Sequence, residues 1–240
     1  MTRIRRATTA LGLAVTLAAP ATAADLDLRT EEYPPANFTG DDGKITGIAT
    51  EVVRRAADRA NLDITIELSA FKRGLKLTKT QPGTCFFGLW RTDQREDKFT
   101  WVGPLMQDGY ALFARADSDI QLDSLEDSFS YSTGAVEGWG STQAVKDAGH
   151  PNLEMAYEDS ANIKRLDAGR TELWLSGLLS APYEAKAKGL DIEKKLVVNT
   201  VDLSVACHPE TDRAVLDRLQ NAFDAIKSEG VVAKIKERYL

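Results

Sequence analysis

The 240-residue chain carries two histidines, two cysteines and no apolar run long enough to cross a bilayer. Each scarcity removes a class of function. His150 and His208 each precede a proline in a loop-like context with no ligand spacing around them, so no metal site is expected and both are expected at the surface. A Gly-x-Ser-x-Gly elbow and a phosphate-cradling Gly-Lys motif are missing, which argues against a hydrolase or a nucleotide enzyme. The balance of 30 basic against 36 acidic side chains gives a formal charge of −6, and nucleic acids and anionic membranes attract the opposite sign. The partner is expected to be a small molecule or another protein, with no nucleic acid, no metal and no cofactor.

What is present begins with MTRIRRATTALGLAVTLAAPATAA: three arginines, an apolar run from Ala10 to Ala19, and the small triplet Ala21-Thr22-Ala23. This is the layout of a secretory signal cleaved after residue 23, and the apolar run falls short of the roughly 20 residues a membrane span needs. Losing Arg3, Arg5 and Arg6 takes the formal charge from −6 to −9. Cys85 and Cys207 in an exported chain leave two alternatives open: a disulfide closing a long loop, or two buried free thiols.

Along the chain, short apolar strands interleave with amphipathic helices. DLDLRT reads as a strand before a Pro-Pro break. ITGIATEVVRRAADRANL reads as a helix with Ile48, Val52, Val53, Ala56 and Ala60 on one face. LDITIEL, TCFFGLW and GYALFARA read as strands, with AFKRGLKLTKT a helix among them; a second series of the same kind runs from YSTGAVEG to APYEAKAKG. The tail reads as two helices broken at Gly230. The pattern predicts an α/β fold of largely parallel sheets. Short crossings between two lobes are expected near WVGPLMQDGY and VVNTVDLS.

The ordered series RTEEYPPANF, DGKITGIATEVVRRAADRANL, RTDQREDKFTWVGPL, VEGWGSTQAV, LDAGRTELWL and SEGVVAKIKERYL resembles the periplasmic solute-binding proteins of family 3, the polar-amino-acid type that feed ABC importers. The resemblance covers nearly all of the chain after residue 23. It implies a two-lobed periplasmic-binding-protein type II clamp, each lobe a mostly parallel sheet flanked by helices. Lobe 1 would be 24–106 with 205–240, and lobe 2 would be 107–204. The implied protein is a periplasmic monomer that binds a small polar solute and docks on a membrane permease. A membrane-receptor sensor domain would need a span after the tail, where this sequence ends at Leu240.

The same resemblance assigns a site. Arg95, closing the Thr92-x-x-Arg95 turn, would hold a ligand carboxylate, a task that suits the fixed fork of a guanidinium. Gly140, Ser141, Thr142 and Gln143, following Gly138 and Trp139 at a helix start, would offer N–H groups and hydroxyls to the same anion. Glu31, Tyr33 and Phe71 would face the cleft from the first lobe, while Arg91 is expected to be a surface or rim charge. Three positions depart from the family pattern. Trp90 and Gly88 stand where small hydroxyl residues are common, and Gly177 falls where an aspartate usually pairs with an α-ammonium. An indole at Trp90 would stack on a planar or cationic ligand. No catalytic residue is expected; the alternative from another class is a cleft enzyme of the same fold, a cyclohexadienyl dehydratase-like lyase using Glu31 or Glu32 as an acid.

Overall fold

A computed structural model describes residues 24–240, so the secretory-signal reading of residues 1–23 lies outside the described residues. The first half runs β1 (Leu26–Thr30), β2 (Phe38–Thr39), β3 (Ile45–Thr46), α1 (Ile48–Ala60), β4 (Ile64–Leu68), α2 (Phe71–Thr80), β5 (Thr84–Trp90), the single turn α3 (Asp93–Glu96) and β6 (Thr100–Arg115). After a 3-10 turn at Glu126–Ser130 follow β7 (Thr133–Val136), α4 (Gly140–Asp147), β8 (Leu153–Ala156), α5 (Asp159–Asp167), β9 (Leu173–Gly177), α6 (Ser180–Lys188), β10 (Ile192–Cys207), α7 (Arg213–Ser228) and α8 (Val231–Tyr239).

Eight strands form one sheet in the order β4-β1-β5-β10-β6-β9-β7-β8. β1, β4 and β5 are mutually parallel at one end, as are β7, β8 and β9 at the other. Between them the long antiparallel pair β6 and β10, 16 residues each, joins the halves. The expected crossings are therefore parts of long strands, not short segments. β6 gives Val102, Leu105 and Met106 to one core and Tyr110, Leu112 and Ala114 to another. β10 gives Leu203, Val205 and Cys207 to the first core, with Leu196 and Val198 against the second. Both strands change sides at one level, where Val201 pairs with Asp108 and Thr200 with Gly109.

Local sequence explains most elements. The all-apolar TCFFGLW of β5 is buried on both faces, as an interior strand requires. α1 buries Ile48, Val52, Val53, Ala56 and Ala57 while Arg54 and Arg55 stay exposed, and it stops at Asn61 in the left-handed region. The small β2–β3 hairpin was not expected, since two-residue strands carry no readable alternation. The tail returns to the first lobe through polar clamps. Arg218 donates to the carbonyls of Ala60 and Asn61 at 2.7 Å each, capping α1, and Gln220 bonds both the N–H and the carbonyl of Gly103. Cys85 and Cys207 sit directly opposite on β5 and β10 and are joined as a disulfide, which resolves the alternative left open above.

Candidate functional site

Between the two cores lies a cavity of about 640 Å³, within the range of small-molecule sites. Its first-lobe wall begins where β1 ends, with Glu31, Glu32 and Tyr33. β5 carries Gly88, Leu89 and Trp90 to it, and the turn of α3 turns Arg95 inward. The Arg95 Nη1–H donates to the Trp90 carbonyl at 2.9 Å, and its guanidinium lies 5.7 Å above the Phe71 ring. That hydrogen bond uses one donor of five and leaves the rest of the fork for a ligand.

Charge in the wall is balanced but not paired. Burial pushes the Glu31 carboxyl above its ordinary value, and the nearby Arg95 charge pulls it partly back. Burial likewise lowers the Arg95 guanidinium, opposed by Glu31, although an arginine remains charged throughout. Among the described residues neither has an ion-pair partner. Glu32 turns to the hairpin instead and accepts from the Thr39 N–H at 3.1 Å and its hydroxyl at 2.5 Å.

The second-lobe wall is uncharged, with glycines and serines beside two aromatic rings, Trp139 and Tyr110. Gly138, Trp139, Gly140 and Ser141 line the cavity at the start of α4, where no side chain caps the helix, so its first N–H groups are free to meet an anion. Gly177 and Ser180, at the end of β9 and start of α6, complete that side with Gly109 and Tyr110 of β6. Thr142 and Gln143 of the expected set are not among the residues that line the cavity. The Thr142 hydroxyl is buried and donates back to the Val136 carbonyl at 2.7 Å, and Gln143 reaches along the helix to Asp147. A helix start presents one face to the cleft, and these two side chains lie off it.

Behind the floor is a group that sequence reasoning did not single out. Asp108 is fully buried, and its Oδ2 accepts from the Tyr33 hydroxyl at 2.6 Å and from the Trp90 indole N–H at 3.0 Å. Its Oδ1 has no hydrogen-bond partner, although the backbone N–H groups of Gly109 and Leu179 face the carboxylate more loosely. Burial raises this carboxyl above its ordinary value, opposed by those donors. Burial and the Asp108 charge together push the Tyr33 phenol well above its own. The available signal was a lone charge in the apolar run PLMQDGYALFA. Two glycines are demanded by close approach. Gly88, at φ 71°, would place a Cβ 2.4 Å from Asn37 Oδ1, and a Cβ on Gly177 would lie 2.5 Å from Ser180 Oγ.

Residues set aside earlier fall as follows. Arg91 is at the surface, paired with Glu96 and stacked over Trp101. His150 is not at the surface: it is buried against Phe129, its ring beside the Thr133 hydroxyl, because the Gly149–Pro151 turn folds back on the second core. Burial lowers its imidazole below the ordinary value. Among the described residues no cluster of metal-ligating side chains occurs, and no helix is long and apolar enough to cross a membrane.

Residues 28–240 match the bacterial extracellular solute-binding proteins, family 3. A comparison with curated proteins finds no match. Among solved structures, the chain is similar to substrate-binding domain 2 of Lactococcus lactis GlnP in its open conformation, with a TM-score of 0.77, 16% identity, and 92% of this chain and 97% of that chain covered. It is also similar to the unliganded, open L-cystine solute receptor of Neisseria gonorrhoeae, with a TM-score of 0.75, 19% identity, and 89% and 91% covered. A histidine kinase sensor domain with similarity to periplasmic binding proteins has a TM-score of 0.69 and 18% identity, with 90% and 95% covered. At such identities these likenesses establish the two-lobed fold.

Proposed function

Because this chain belongs to the bacterial extracellular solute-binding proteins of family 3, we propose that it captures a small polar solute bearing a carboxylate and delivers it to an ABC-type membrane importer. The observation that carries this is Arg95, a half-buried guanidinium without an ion-pair partner among the described residues, lining the same cavity as the uncapped start of α4. A carboxylate between them gains the arginine fork from one side and backbone N–H groups from the other. We take lobe 1 as 24–106 with 205–240 and lobe 2 as 107–204. A ligand touching both walls binds the closed clamp better than the open one, and that difference drives closure. The protein acts in the periplasm as a monomer, with residues 1–23 removed on export. Two of the similar structures, a receptor and a substrate-binding domain, accord with this role.

The test is thermal unfolding of ligand-stripped protein against amino acids, amines and small carboxylates, with Arg95→Ala in parallel. Stabilisation by a carboxylate, about 2.7 kcal/mol at a hundred times Kd, is expected to vanish in the variant. Indifference to every carboxylate sinks the proposal. What favours a cleft enzyme instead is Glu31, a carboxyl in the cavity wall that burial pushes above its ordinary value. Turnover of a prephenate-like substrate that is abolished by Glu31→Gln would establish that reading.

A further inference from the structure

Beside Gly177 the floor of the cleft is aromatic, and the wall's own carboxylate, Glu31, stands at the anion end, near enough to Arg95 to feel its charge. Trp90, Tyr33 and Tyr110 line the floor beside Gly177, a position that offers no side chain. The polar hydrogens of Trp90 and Tyr33 are both given to Asp108 Oδ2, so neither ring has a strong donor left for a ligand. The carboxylate that takes them is itself buried behind the rings, and its negative charge makes that wall more attractive to a cation. Its Oδ2 already holds two donors and its Oδ1, though without a partner among the described residues, is buried with the rest of the side chain, so an ammonium in the cleft reaches neither. A primary ammonium brings three N–H donors and loses free energy for each one buried without a partner. A methylated nitrogen brings the same charge and asks for no acceptor.

Two further observations agree. The Phe71 ring already lies under a cation, the Arg95 guanidinium, at 5.7 Å. Trp139, on the opposite rim, is 41% exposed, an unusual placement for an indole unless something covers it. The Arg95 and Trp90 side chains line the same cavity from neighbouring points of the first-lobe wall, a spacing that suits a short zwitterion.

We propose that the cleft selects a betaine-type solute, a carboxylate joined by a short spacer to an N-methylated, permanently charged nitrogen. The nitrogen seats against Trp90, Tyr33 and Tyr110, the carboxylate meets Arg95, and Trp139 closes over the methyl groups from the second lobe. This rests on the reading of the cleft as a carboxylate-binding site and names the class of its ligand.

Calorimetric titration of the ligand-stripped protein with glycine and its mono-, di- and trimethylated forms, and with the matching 4-aminobutanoate series, tests it. The twenty standard amino acids and simple carboxylates serve as the comparison panel. Affinity is expected to rise with each methyl group, about tenfold or more from primary amine to quaternary ion. Trp90→Leu should flatten that gradient, whereas Arg95→Ala should weaken every member alike. Should Trp90→Leu fail to fold, Asp108→Asn provides the same readout, a smaller ratio between trimethylated and primary ligands. A primary amine binding as tightly as its trimethylated form overturns the proposal. If an amino acid or plain carboxylate binds through Arg95 while the methylated series does not, solute capture stands and the betaine assignment falls. If no member of either set binds, both fall.

Discussion

The first-lobe wall of the cleft presents side-chain charge, Arg95 and Glu31 beside Phe71 and Trp90, whereas the second-lobe wall from Gly138 to Ser141, with Gly177 and Ser180, presents backbone, hydroxyls and the uncharged ring of Trp139. None of the second-lobe residues lining the cavity is charged. The contrast extends to the support beneath each wall. β5, which delivers Trp90, is tied to β10 by the Cys85–Cys207 disulfide, while α4 rests on buried Val145 and the Thr142 hydroxyl turned to Val136. A charged wall tied by a disulfide facing an uncharged one suits a clamp. The ligand can dock first where its charge is met and gain the second set of contacts only on closing.

Removing the disulfide is the strongest test of that contrast. Replacing both cysteines by alanine should cost about 4–5 kcal/mol, since the bond closes a loop spanning 122 residues, as read by urea unfolding under oxidising conditions. A loss under about 1 kcal/mol would mean that the first lobe rests on packing as the second does. Next comes Arg95→Ala, which should weaken carboxylate binding by about a hundredfold, on the order of 2–3 kcal/mol. Titration calorimetry with a ligand identified by thermal shift measures this, and an unchanged Kd would move the anion site to the second lobe.

A third test concerns pH. Folding raises the Asp108 carboxyl, so its contribution to stability is fully present below the ordinary carboxylate range and is lost as pH rises through the raised value. Comparing urea unfolding of the protein and Asp108→Asn at pH 4 and pH 8 should show the native chain's relative stability declining toward pH 8. Parallel curves would mean that folding leaves the Asp108 carboxyl at its ordinary value. The smallest effect is expected at Arg91, whose exposed pair with Glu96 is worth about 0.5 kcal/mol or less. Arg91→Ala should leave ligand affinity unchanged, and a tenfold loss would show that the charged wall extends beyond Arg95.

Much of the fold was legible because its elements obey simple periods. The α1 stripe from Ile48 to Ala57, the apolar β5 and the break at Gly230 between α7 and α8 follow from the residues alone. The two-residue strands of the β2–β3 hairpin are too short for any period to be seen. Of the site, Arg95, Glu31, Tyr33, Phe71, Gly88, Trp90, Trp139, Gly140 and Ser141 line the cavity as placed by family order. Thr142 and Gln143 do not, because rotation about a helix axis decides which of three polar neighbours faces a cleft. Tyr110, Gly177 and Ser180 reach the same cavity from distant points of the chain.

The sequence by itself determined the alternation of strands and helices, the acidic balance of the chain, and the arginine just beyond β5, since these depend on residue type and local spacing. Only the tertiary structure decided that Cys85 meets Cys207, that His150 is buried, and that Asp108 stands behind Tyr33 and Trp90. The physical reason is that a carboxylate's role is set by what encloses it. Asp108 sits where β6 passes from one core to the other, and its neighbours come from β5 and from the loop after β1, brought together only when the sheet forms.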